Sequence, residues 1–134
     1  MNAKQFVANW LLEKNTLLRE FTDPDGDVEV ARDIQSMNLP PEQLQVMNSV
    51  VDKILTDTFY TLLLGLDGSA SIDDAQEAYR ILDEDGNLVS DCGDLESEAY
   101  EHFHEDAGQQ YDAHGTVKSV RFEMESHLSP PGDR

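Results

Sequence analysis

Apolar residues recur every three or four positions over two long stretches of the chain, and that spacing predicts two amphipathic helices. The first covers Ala3–Phe21, with Val7, Trp10, Leu11, Leu17, Leu18 and Phe21 on its apolar side and Lys4, Glu13, Lys14 and Glu20 elsewhere. Thr22-Asp23-Pro24-Asp25-Gly26-Asp27 is dense in turn formers and ends it. The second opens at Leu39-Pro40-Pro41-Glu42. Proline costs no hydrogen bond in a first helical turn, and Glu42 meets the positive end of the helix dipole. Leu44, Met47, Val50, Val51, Ile54, Leu55, Phe59, Leu62 and Leu63 continue the period, and Gly65 is its expected C-terminal stop. This segment is expected to be the central core helix. Between the two, Val28 to Met37 carries a weaker pattern and reads as a short helix.

The pattern shortens further on. Glu77–Leu82 and Leu88-Val89 flank Asp83-Glu84-Asp85-Gly86-Asn87, two short runs around an Asp-Gly turn, which predicts a β-hairpin. Leu95 to His104 reads as a helix with Leu95, Ala99 and Phe103 on one side. Thr116–Met124 alternates Val120, Phe122 and Met124 and is expected to be a last strand, before a flexible tail, Ser129–Arg134. Three N-terminal helices with a long central core helix, then a hairpin, a further helix and a possible last strand, make an α+β chain. No linker or repeat divides it, so one domain over residues 1–128 is expected, with the tail at 129–134.

Charge changes the picture more than composition does. The 134 residues include 28 acids and 9 bases, for a net charge of −19. Met1–Gly65 holds 10 acids and 5 bases, and Leu66–Arg134 holds 18 acids and 4 bases. Such a field repels phosphate backbones and anionic lipid, which argues against direct nucleic-acid or membrane-surface binding. It draws in a basic protein, at a rate that depends on salt. Solubility alone is the competing explanation of the acidity. Cys92 is the single cysteine, so no intramolecular disulfide can form, and a lone thiol suits a reducing compartment. Met1–Gln5 shows no apolar leader, and the run Leu62–Leu66 is too short to cross a bilayer. A cytoplasmic location is expected.

Four kinds of chemistry have candidate residues in the chain. Asp23–Asp27 and Asp83–Asn87 resemble pieces of a calcium loop, but a frame with Gly26 or Gly86 at the turn position ends on Arg32 or Cys92, where a carboxylate is needed. Both read as plain turns. His102 and His104, with Asp112 and His114 downstream, concentrate metal-ligand types, yet on a helix two residues apart face different ways. They read as solvated residues at a helix end. Cys92, among Asp91, Asp94 and Glu96, lacks the cationic neighbours that activate a thiol nucleophile. With this many acids, a carboxylate pair at glycosidase spacing arises by chance.

What remains is the acidic surface. Asp67–Asp112 holds 15 acids and one base, Arg80, interleaved with Tyr79, Tyr100 and Tyr111. Charge steers an encounter and aromatic anchors hold it. Asp83, Glu84, Asp85, Asp94, Glu96, Glu98 and Glu101, with Tyr79 and Tyr100 as anchors, are therefore the expected partner-binding residues. No catalytic residue, cofactor or metal is expected.

The blocks Thr56–Gly68, Ala78–Asn87 and Tyr100–His104 together resemble small bacterial proteins of uncharacterised type, several of which look like immunity proteins of toxin systems. The resemblance covers roughly the middle third of the chain. It implies a cytoplasmic protein that neutralises a cognate toxin by direct binding, and it assigns no functional residue; a toxin or a nuclease is the kind of basic partner expected. Two other functions use the same residues. One is a nucleic-acid mimic that blocks a DNA- or RNA-handling protein, and the other is a metal-dependent enzyme built on His102, His104 and His114. The apolar face of Ala3–Phe21 is also a candidate homodimer surface.

Overall fold

The structure is a computed structural model that describes residues 1–105. The expected strand Thr116–Met124, the tail, His114 and Tyr111 lie outside the described residues. Within them the chain is α+β, as the pattern predicts: helices α1 (Ala3–Phe21), α2 (Glu29–Ser36) and α3 (Pro41–Asp67), strands β1 (Ile81–Leu82) and β2 (Leu88–Ser90), then α4 (Glu96–Tyr100) running into a π-helical turn, Glu101–Glu105.

Helix α1 begins in a capping box. Asn2 accepts from the Gln5 N–H at 2.9 Å while the Gln5 side chain accepts from the Asn2 N–H at 2.9 Å. Its apolar stripe is largely spent inside the molecule. Val7 and Leu11 join Leu63 of α3 and Leu95, Ala99 and Phe103 of the α4 region in one core, with Phe6, Phe59, Tyr60 and Ile81 packed at its edge. A row of rings crosses the same interface, from Phe6 to Trp10 (6.3 Å), Phe59 (5.7 Å) and Phe103 (6.2 Å). The α1 face offered for dimerisation is thus occupied by the chain's own core.

Two positions depart from expectation. Lys14, placed on the polar side, is fully buried and pairs with Asp52 of α3, itself buried. A lysine stem packs like an apolar side chain, so a pattern of hydrophobic letters misses it. Gly65 does not stop α3. The helix runs on to Asp67, and Gly68, in the left-handed conformation at φ 81°, makes the C-cap. Gly65 serves a different need. A Cβ there would stand 2.8 Å from Ile72, so its smallness admits the chain as it turns back along the helix.

The hairpin is short. β1 and β2 pair antiparallel, Ile81 with Ser90 and Leu82 with Leu88, with an irregularity between them. Residues 77–80 stay outside the ladder. Val89 and Ser90 are buried and β2 lies against α1. The buried Asp67 ends α3 and starts the next element. Its Oδ1 accepts from the Gly93 N–H (3.0 Å) and the Leu95 N–H (2.8 Å), tying the long helix to the beginning of α4.

Candidate functional site

Two Asp-x-Asp-Gly turns are built alike. Asp23 Oδ1 accepts from the Asp25 N–H at 2.9 Å, and the Gly26 N–H returns to the Asp23 carbonyl at 3.1 Å. At the hairpin tip, Asp83 Oδ1 accepts from Asp85 (2.9 Å) and Asn87 (2.8 Å), and the Gly86 N–H reaches the Asp83 carbonyl at 3.0 Å. Asp and Asn side chains close such turns by copying a backbone acceptor. The hydrogen bonds from Asn87, its backbone N–H foremost, hold the Asp83 carboxyl below its ordinary 3.8. Asp94 does a similar job, accepting from the Asp91 N–H at 2.8 Å. Asp83 and Asp94, two of the expected binding residues, are therefore occupied in shaping turns.

The remaining acids divide. Glu84, Asp85, Glu96 and Glu101 are exposed. Glu98 is half-buried with Oε1 fully covered, and its carbonyl receives the His102 ring nitrogen at 2.8 Å. It is less open to a partner than the fully exposed acids around it. From Asp67 to Glu105, the described part of the acidic stretch, 13 acids face Arg80 alone, and Arg80 reaches Asp91 at 4.0 Å with both side chains exposed.

The aromatic anchors also separate. Tyr79 is half-buried in the segment that leads into the hairpin. Tyr100 is 50% exposed and lies beside the His104 ring (5.7 Å), which in turn meets Tyr60 of α3 edge-on at 4.3 Å. Tyr60, His104 and Tyr100 form an aromatic ridge at the surface. Glu96 stands one helical turn before Tyr100, and Glu101 and Glu105 flank His104 in the chain. The expected set thus falls into two groups: the hairpin tip with Glu84 and Asp85, and the α4 face with Glu96, Tyr100 and Glu101. Tyr60 and His104 belong to the second group. Sequence periodicity assigned Tyr60 no role because it falls between the core positions Phe59 and Leu63.

The two histidines do not converge. His102 is buried and bonded to the Glu98 carbonyl, whereas His104 is exposed on the tyrosines. The expectation of solvated helix-end residues holds for His104 and is corrected for His102. Phe103 and Ala99 draw that face of the turn into the core, and His102 travels with them. Among the described residues, no group of three or more His, Cys, Asp or Glu could hold a metal ion. No helix among them is long and apolar enough to cross a membrane.

No family model, curated protein or solved structure matches this chain. Its function has to be read from its own surface. Besides the acidic face, a groove of about 730 Å³ opens between the end of α1, α2 and the start of α3, lined by Phe21, Ala31, Ile34, Leu39 and Leu44 with Arg19 at its edge. None of the expected site residues lines it.

Proposed function

We propose that this chain is a non-enzymatic binding protein whose acidic, tyrosine-anchored α4 face docks onto a basic partner protein, in the manner of an immunity-type inhibitor that occludes a basic cleft. One observation carries the reading. Glu96, Glu101 and the half-exposed Tyr100 are all exposed on the short α4 segment, and among the described residues from Asp67 to Glu105 Arg80 is the single base against 13 acids. Carboxylates without partners in the free protein have only their hydration to lose on meeting Lys or Arg, and exposed rings supply contact area at small entropic cost. The hairpin tip adds Glu84 and Asp85 to the field that steers the encounter, whether or not it touches the partner. A cytoplasmic site of action belongs to the same proposal.

The test is the rate of association with whatever basic protein the tagged chain retains from a lysate of its native host. Glu96→Gln with Glu101→Gln is expected to slow association by roughly tenfold at about 0.1 M salt and to flatten its salt dependence. Tyr100→Ala is expected to act on dissociation instead, raising the off-rate by at least about tenfold if the ring is an anchor. An unchanged on-rate and salt slope in the glutamine variant would remove the α4 face from the interface.

A further inference from the structure

The spacing that marks α3 as the core helix overstates how much of it is buried. Of its nine periodic apolar positions only Leu63 is fully inside. Val46, Val50, Ile54 and Leu62 are 63%, 44%, 58% and 58% exposed. Val46, Val50 and Ile54 follow one another at four-residue steps, and with Thr58 they lead to Leu62, an i±4 ridge that rises about 24 Å at 1.5 Å per residue while winding about 40° per step round the helix, with Ile54 at its middle. An apolar strip of this length is unusual on the surface of a soluble domain and marks a contact site.

From the geometry of this ridge we infer that α3 is the seam of a symmetric homodimer, with a second copy of the chain as its occupant. Charge is the first argument. The chain carries a net −19, yet between Glu42 and Asp67 the only exposed charged residues are Lys53 and Asp57, one of each sign and one turn apart. The strip is therefore locally neutral, so two copies can meet there without opposing like charges at the contact. A strongly basic partner gains nothing on it and is better served by the acidic face. Shape is the second argument. Two-fold symmetry demands a self-complementary surface. Ridges of i±4 residues supply one, because two of them interdigitate when the helices cross at about −50°. Ile54, at the middle of the ridge, would then lie beside the two-fold axis.

The inference does not depend on the acidic-face proposal, and salt separates the two. A complex with a basic partner weakens as salt rises. A dimer of chains that each carry −19 strengthens, because screening removes their long-range repulsion while the apolar seam is unaffected. Sedimentation equilibrium of the full chain between about 1 µM and 1 mM, at about 0.1 M and 0.5 M salt, tests it. The expected result is a monomer–dimer equilibrium whose Kd falls at the higher salt. Ile54→Glu sits on an exposed position, and circular dichroism is expected to show it folded. The substitution counts twice across the seam and is expected to raise Kd at least about a hundredfold. A monomer throughout the range, as when another segment of the same chain covers the ridge, overturns the inference. So does a dimer that Ile54→Glu leaves intact.

Discussion

Lys14 and Asp52 meet where α1 packs on α3, both withdrawn from water. Burying two charges costs roughly what their attraction returns, so the pair as a whole contributes little, while either member alone is a large liability. Asp52→Leu alone is expected to lose about 3–5 kcal/mol of stability, and Lys14→Met combined with Asp52→Leu is expected to unfold near the parent value. Urea titration of the parent, single and double variants checks this, and a double variant as unstable as the single would contradict it. Burial also holds the Lys14 amine below its usual 10.5, against the opposing effect of Asp52. Between the folded and unfolded values the unfolded chain binds the extra proton, so this group makes stability rise with pH over that interval and level off above 10.5. Relative to the double variant, the parent is therefore expected to gain stability on going from neutral pH to about pH 10. A relative loss over that interval would show that the Asp52 attraction outweighs burial. Nothing in the run Leu11-Leu12-Glu13-Lys14 announces such a partner 38 residues away, because a buried charge pair leaves no periodic trace.

At the scale of elements, the sequence pattern was legible wherever local forces decide and silent where the chain returns on itself. The limits of α1 follow from its apolar period, the Asn2 cap and the turn residues after Phe21, and they are read without error. The hairpin turn is equally local, since Asp83 and Gly86 close it by themselves. The end of α3 was misread because Gly65 and Gly68 look alike as letters, and only the path of residues 68–78 tells a glycine needed for close approach from one needed for positive φ. That distinction has a measurable consequence. Gly68 and Gly86 both have positive φ, 81° and 84°, but a Cβ at Gly68 would lie 2.8 Å from the Glu77 carbonyl oxygen, while at Gly86 nothing stands within 4 Å. Gly86→Ala is expected to cost about 1 kcal/mol from conformation alone, and Gly68→Ala about 2–4 kcal/mol because the backbone of the returning segment at Glu77 and Ala78 must also shift. Equal losses in thermal or chemical unfolding would mean that the 68–78 segment does not pack against the end of α3. The candidate site was half legible for the same reason. The acids and Tyr100 are visible in the sequence, but the partial burial of Glu98 and the edge-on contact of Tyr60 with His104 arise only once α3 and α4 are side by side.

Among the described residues of the whole molecule, the acids and the apolar ridge of α3 are set apart, although Leu82 and Leu88 are also exposed at the hairpin. The acids crowd the hairpin and the α4 region, and the outward ridge of α3 is nearly neutral. A protein that needed acidity only for solubility would have little reason to leave Val46, Val50 and Ile54 in water while placing 13 acids and one base between Asp67 and Glu105. The separation fits two surfaces with different partners, one chosen by charge and one by shape. The claim that matters most is the first, and one experiment meets it directly: retention of proteins from the native host's lysate by the tagged chain, washed at about 0.1 M and then about 0.5 M salt, across which the screening length falls from about 10 Å to less than half of that. A single strongly basic protein that is held at the lower salt and released at the higher is the expected result. Recovery of no partner at either salt, or of a partner whose retention ignores salt, would contradict a charge-steered acidic interface.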